Sequence, residues 1–523
     1  MKKLGTLSML ALFVFSTQVE AQTERYLDEV FDEVEITTDI TYGQNITVLT
    51  VSDPDIGMPT LQDLKMDVYA PAGDTETDRP LLINLHSGNF LPQGTNGSVN
   101  GQRVDSVNVE LAMRYAKMGY VVANIDYRLG WNPLDPEIDG RISGLINAAY
   151  RGIQDSRTAV RFFRKSIVEN NNEYGICPDR VAMLGNGTGG YVVLGAATIN
   201  NYEELLLPKF FNTDGTPMVV EGFNGDPFGI EQTPLNNPNH VEYSSDFNVA
   251  IHMGGAIGDS SWITADDVAI IGFQVPNDPF APYEEDILVV PTTGDLIVEV
   301  QGAKIILEKA NALGLNQAMI DANIDDGFTD GANANNGGVE GLYPVVRACP
   351  PSFFPPNAPQ CEASPWEWWD AGFWSMVEHP SCPPGTFPAC SFHTITLNSN
   401  QGMSATQGKT YLDTIVGYAA PRMYAVMDLG GTCTDFTIDT KEILTAAVVN
   451  LSVAPNPAAT EMYFTSDDTM EAIEIYNFAG QLMTSSRVEA TSFRLDRNGL
   501  ANGMYIAKIR YAEGIVSQKV VFN

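Results

Sequence analysis

The chain has 523 residues, too many for one ordinary domain and enough to bury a large core. Its 44% hydrophobic and 18% charged content exclude a disordered chain. Against 29 Lys and Arg stand 65 Asp and Glu, a formal charge of −36, and that field excludes nucleic acid and anionic membrane surfaces as partners.

Residues 1–21 read as a secretory leader. Lys2 and Lys3 form the basic start, Met9 to Phe15 a short apolar run, and Val19-Glu20-Ala21 a small-residue cleavage site before Gln22. The run is too short to span a bilayer, and no later segment is long and apolar enough, so the expectation is an exported chain without a transmembrane segment. Six cysteines stand at 177, 349, 361, 382, 390 and 433. An even number in an oxidising compartment favours disulfides, and the local pairs are Cys349 with Cys361 and Cys382 with Cys390. A metal site fits less well, because no C-x-x-C spacing occurs.

From Val34 to Leu85 the pattern alternates as in paired strands, with Leu64–Tyr69 as one strand. Leu81–Leu85 is a continuous apolar run, as for a strand buried on both faces. A helical pattern covers Val107 to Met118, a buried strand Tyr120 to Ile125, and a long amphipathic helix about Ser143 to Val168. The strand Arg180–Leu184 then leads into a glycine-rich turn and a helix from about Gly189. Strands are expected at Asn248–Ile251 and Val268–Phe273, and a helix at about Val298–Leu313. Strands alternating with helices predict an α/β fold, a mostly parallel sheet with helices on both faces.

Between about 321 and 403 the periodicity breaks. The stretch is rich in proline and holds Trp366, Trp368, Trp369 and Trp374. It reads as a lid or binding loop, or as a disulfide-stapled cover over the sheet. Asp321, Asn323, Asp325, Asp326 and Asp330 offer oxygen ligands for calcium, but the glycine falls one place late for an EF-hand, and a solvated acidic loop fits better. A helix at about Thr410–Met423 returns to the sheet. From Leu444 the chain turns into short alternating strands, a small β-sandwich. The expected organisation is a leader at 1–21, an α/β domain at 22–443 with an insertion at about 321–403, and a C-terminal β domain at 444–523.

The most informative stretch is Leu184-Gly185-Asn186-Gly187-Thr188-Gly189-Gly190. It is laid out as strand, sharp turn and helix, like the G-x-S-x-G nucleophile elbow, with Gly187 where the attacking serine belongs. His86-Ser87-Gly88-Asn89-Phe90 follows a buried strand and resembles an H-G-G-G oxyanion loop, with serine and asparagine replacing two glycines. Gly88 and Asn89 would supply the N–H groups, and His86 reads as a structural residue of the loop. Asp126-Tyr127-Arg128-Leu129, and Asp155 with Ala159 on the helix before the elbow, complete the set. On these motifs about Val34 to Met423 resembles an α/β-hydrolase of the carboxylesterase and hormone-sensitive-lipase type.

The resemblance implies a serine, an acid and a histidine in chain order. Asp278, in Val275-Pro276-Asn277-Asp278-Pro279, matches the acid loop; the other reading is a solvated turn aspartate. Only His379 and His393 follow it, and His393, nearer the closing helix, is the preferred base, with a bystander histidine as the alternative. Gly185 and Gly189 frame the elbow. Thr188 is the one neighbouring hydroxyl, but its position normally lends a backbone N–H, so it is a poor substitute nucleophile. No cofactor is expected.

Val453-Ala454-Pro455-Asn456-Pro457, Ile475 to Gln481, Gly503-Met504-Tyr505 and Lys519-Val520-Val521 resemble, in order, a type IX secretion C-terminal sorting domain; the other reading is a carbohydrate-binding sandwich. The resemblance implies a Gram-negative host, the type IX machinery as partner, and delivery to the cell surface or medium. The combined expectation is an exported relative of carboxylic-ester hydrolases with little or no triad catalysis, facing a small-molecule or polymeric ester. The alternatives are a pseudoenzyme that binds a ligand through the aromatic lid, and an esterase whose serine was replaced in this sequence.

Overall fold

A computed structural model describes residues 24–289, 296–353, 361–433, 449–476, 482–497, 499–511 and 514–523. The expected leader and the expected boundary near 444 lie outside the described residues.

The first sheet is built from β1 (Val34–Thr47), β2 (Thr60–Pro71), β3 (Arg79–Leu85), β4 (Val121–Ile125), β5 (Ile176–Asn186), β6 (Val249–Met253), β7 (Ala269–Gln274) and, later in the chain, Leu342–Pro344. Their spatial order is β1-β2-β4-β3-β5-β6-β7 followed by the last strand, antiparallel at β1/β2 and β2/β4 and parallel from β4 onward. Side chains of β3 alternate between two cores. Leu81, Ile83 and Leu85 join the core under α2 (Ile138–Glu169) and α3 (Thr188–Thr198). Leu82 joins the opposite core, which contains α1 (Ser106–Met118). Val181 and Met183 against Ala182 and Leu184 repeat that alternation on β5. The two-residue period of a strand is what lets one apolar run serve both faces.

α4 (Glu221–Asn224) is a single turn before β6. β8 (Glu285–Val289) and β9 (Leu296–Gln301) form a separate antiparallel ribbon. The helix expected from Val298 therefore begins later: Val298–Gln301 is the end of β9, and α5 spans Ala303–Leu313. β-branched Ile297, Val298 and Val300 favour the extended form, and Gly302 separates them from the helix formers that follow. The short helices α6 (Gln317–Ala322) and α7 (Gly327–Asn333) precede β10 (Leu342–Pro344), which closes the sheet beside β7. The expected insertion at about 321–403 thus begins with regular elements, α7 and β10; beyond β10 the α-helices among its described residues are α8 (Ala371–Trp374) and α9 (Phe392–Thr396), and α10 (Ala405–Val426) packs beneath the sheet opposite α2.

Disulfides join Cys349 to Cys361 and Cys382 to Cys390, as their spacing suggested, and a third joins Cys177 on β5 to Cys433 beyond α10. The acidic stretch 321–330 is used locally: Asp321 accepts from Gln317, and Asp326 caps α7 by accepting from the Thr329 N–H. β11 (Ser452–Ala454), β12 (Glu461–Tyr476), β13 (Leu482–Asp496), β14 (Gly503–Tyr511) and β15 (Gly514–Phe522) form an antiparallel sheet with its own core, including Met462, Phe464, Ile473 and Val520. Among the described residues no helix is long and apolar enough to cross a membrane.

Candidate active site

β5 ends at Asn186, α3 starts at Thr188, and Gly187 forms the whole turn between them at φ 52° and ψ −116°. Its N–H donates to Met253 O and its carbonyl accepts from Gly190 N. The helix can lie this close to the strand only because of the flanking glycines. A Cβ on Gly185 would come within 2.1 Å of Gly189 O, and one on Gly189 within 2.6 Å of Leu85 O. The elbow is complete as backbone.

The space its side chain would use is taken by another residue. A Cβ on Gly187 would lie 2.3 Å from Ser87 Oγ and 3.0 Å from Ser87 Cβ. Ser87 opens the loop after β3, where Gly88, Asn89 and Phe90 all have positive φ. Asn89 is fixed by donating from Nδ2 to Asn96 O, while its carbonyl accepts from Trp131 Nε1. His86 is buried, stacks on Tyr127 at 4.6 Å and hydrogen-bonds the Ser87 carbonyl through Nδ1. Tyr127 donates to His86 O, and its hydroxyl lies 3.3 Å from Thr188 Oγ1. The Thr188 hydroxyl is thus held in a tyrosine contact beneath the loop.

Asp278 follows β7 and lines the same cavity as Gly187, Thr188, Gly88 and Asn89. Its Oδ1 accepts from the N–H groups of Phe280 and Ala281, and its Oδ2 from Gln274 Nε2 at 3.2 Å. Burial pushes its carboxyl up to about 7 against those hydrogen bonds. None of the five histidines is among its described partners. His393, the preferred base, sits on α9, accepts from Trp369 Nε1 at Nδ1, and is not among the residues lining the cavity. His379 does line it, but its Nδ1 accepts from Ser381 N, which leaves Nε2 to donate to Gly97 O at 3.2 Å. Burial lowers the pKa of both rings. His252 is enclosed in the sheet, where burial takes it down to about 3, and His240 bonds to Tyr42 O.

The chain instead brings Glu367 to the cavity wall, a residue that sequence reasoning passed over inside a tryptophan-rich run. Glu367 accepts from Asn186 Nδ2 at 2.7 Å, and Asn186 Oδ1 accepts from Trp366 Nε1 at 2.9 Å. The elbow residue next to Gly187 is therefore clamped by the insertion. Burial raises the Glu367 carboxyl, the Asn186 hydrogen bond opposes the rise, and nearby Asp278 adds to it. Trp366 also reaches the Asp278 side, its ring 3.7 Å from where a Cβ on Gly254 would sit, with Asp278 Oδ2 3.6 Å from the same point.

The cavity holds about 480 Å³, within the range of small-molecule sites. Away from the elbow its wall is apolar, with Leu145, Ile153, Ile199, Phe210, Trp262 and Val300 from α2, α3 and the segments facing them. Its polar end gathers Ser87, Asn89, Asn96, Asp278 and Glu367. Among the described residues no lysine or arginine lines it.

Two family models match the chain: BD-FAE over residues 66–222, and the secretion system C-terminal sorting domain over residues 452–523. A curated relative, secreted lipase 5 of Gibberella zeae, is 25% identical over 190 residues, which cover 35% of this chain and 32% of the relative. The match thus spans about a third of that relative's length. Among solved structures, Thermogutta terrifontis esterase 2 phosphorylated by paraoxon is 18% identical, with 48% of this chain and 74% of that chain covered and a TM-score of 0.27. The propionate-bound form of the same esterase gives 17% identity, the same coverages and the same TM-score. Residues 66–222 thus carry an esterase-like match within a mostly parallel sheet of α/β-hydrolase type, and residues 452–523 a type IX secretion sorting domain, which marks the chain for the surface of a Gram-negative cell or beyond.

Proposed function

We propose that this protein binds a ligand in the esterase-type cavity and does not turn it over by a serine triad. The observation that carries this reading is the position of Ser87 Oγ, 2.3 Å from the point where an elbow Cβ would stand. The resembling motifs place serine at the elbow and glycine in the loop; here the loop has serine and the elbow glycine. That reciprocal fit favours an elbow glycine native to the chain over a recent replacement of an otherwise intact serine. The histidine partners support the same reading, since each ring is engaged away from Asp278.

An oxyanion loop and a binding cavity without a triad retain only trace catalysis, about 10³–10⁴-fold over water in a well-studied triad hydrolase. The exported protein is accordingly expected to hydrolyse p-nitrophenyl esters at trace rates. Turnover near about 10 s⁻¹, the middle of the enzyme range, would overturn the binding reading. Thr188→Val and Ser87→Ala would then identify the hydroxyl responsible.

A further inference from the structure

The cavity's polar end carries two carboxyls beside the neutral Ser87, Asn89 and Asn96. Asp278 and Glu367 both line it, arriving from opposite sides: Asp278 from the loop after β7, and Glu367 from the insertion across Asn186. The Asp278 charge adds to the rise that burial imposes on the Glu367 carboxyl. Glu367 is only 9% exposed, and among the described residues no lysine or arginine shares the wall. In a triad hydrolase the acid meets an imidazole; here no histidine is among the described partners of Asp278, and a second carboxyl lines the same cavity. Hydrogen bonds from Phe280, Ala281, Gln274 and Asn186 hold the two carboxyls, and a cationic ligand would add the counter-charge that favours their ionised form.

We propose that the cavity takes a primary alkyl- or arylammonium compound, its N–H donors shared by Asp278 and Glu367 and its apolar body lying against Leu145, Ile153, Ile199 and Phe210. This rests on the binding reading above and adds the chemical class of the ligand. An ammonium fits better than a neutral alcohol because it offers several donors and a charge to two acceptors. It fits better than a carboxylate because the −36 chain charge repels an anion and, among the described residues, no lysine or arginine lines the wall to receive one.

The proposal carries a proton signature. Without a ligand, burial holds Asp278 near 7, so this carboxyl is partly protonated at neutral pH, and burial also raises Glu367. The other titratable groups at this end are Asp105, raised to about 6 by burial, His86 beside it, and His379 at Gly97. An ammonium favours the ionised carboxylates, so binding releases protons and tightens as pH rises from 5 to 8, while an alkylammonium stays charged throughout.

The test titrates the exported protein with octylammonium, octanol and octanoate, read by tryptophan fluorescence and by calorimetry in two buffers of different ionisation enthalpy. Octylammonium is expected to bind roughly ten-fold or more tightly than octanol, with proton release near pH 7, and octanoate more weakly than either. Glu367→Gln and Asp278→Asn should each cost most of the ammonium preference, read as the ratio of octylammonium to octanol affinity within the same variant. The buffer comparison needs no variant, so it stands even if a variant fails to fold. Octanol binding as tightly as octylammonium, or ammonium binding without proton release, overturns the ammonium assignment and leaves the cavity reading intact. Binding of none of the three overturns both.

Discussion

A side chain at 187 and the side chain at 87 compete for one space at the top of β5. Ser87 fills it now, so Gly187→Ser forces the Ser87 hydroxyl to turn away or the loop after β3 to shift. Overpacking of this kind costs about 1–3 kcal/mol. The Gly187→Ser variant should therefore melt below the parent, and adding Ser87→Gly should recover most of the loss. Equal melting of the single and double variants in denaturant would show that the two residues do not share the space. The double variant should still hydrolyse esters only at trace rates, since it restores a hydroxyl and supplies no base.

Asp278 gives a second expectation at this scale. Its carboxyl is held at about 7 in the folded chain, against about 3.9 in an unfolded one. The folded state binds that proton more tightly, so this group's stabilisation is fully present below the unfolded value and is lost as pH rises through about 7. Asp278→Asn, which keeps the acceptor for Phe280 and Ala281, should gain stability over the parent at pH 8 and lose that advantage toward pH 4. A constant difference across melts at pH 4, 6 and 8 would argue that this carboxyl is not held protonated by burial. The elbow and the acid loop were legible in the sequence because each lies within a few consecutive residues. The Ser87 contact and Glu367 were not: Glu367 meets Asn186 across 181 residues of chain, and only the folded insertion brings it there.

Among the elements, α2 explains why the Asp126 to Leu129 phrase and Asp155 travel together. Arg128 and Asp155 are both fully buried, joined at 2.9 Å through Nε, and the Arg128 N–H donates to the same carboxylate. The guanidinium also donates to Leu235 O and to Gln154 Oε1, so its charge has several partners at once. The pair ties the end of β4 to α2 and so sets the wall that α2 presents to the cavity. Removing one partner strands the other in the core, which costs about 3–5 kcal/mol. Asp155→Ala is expected to lower unfolding stability by that order; a loss below about 1 kcal/mol in urea melts would mean that the remaining carbonyl acceptors suffice for Arg128. Sequence reading placed most parallel strands and their helices because their apolar periods are clean. It lost β9 because a short β-branched run beside a helix former has no period of its own.

At the scale of the whole molecule, the C-terminal sheet has a core that shares no residue with the two cores of the α/β domain. Charge links the two regions: Lys508 on β14 draws down the carboxyls of Glu221 and Glu231, which burial raises. Pairs of this kind contribute little to stability beside a separate core. The third disulfide, Cys177–Cys433, closes within the larger domain and survives any cut beyond it. Deleting residues from Leu451 onward should therefore leave the α/β domain with a melting midpoint close to the parent's and with its cavity open to the same ligands. The matched sorting domain goes with the deletion, so the truncated chain should accumulate inside the cell instead of at its surface. Fractionation of cells expressing the full and truncated chains, with melts of both purified proteins, measures the two effects separately. A truncated chain still delivered to the surface would refute the export role of this segment, and one that unfolds would refute its independence.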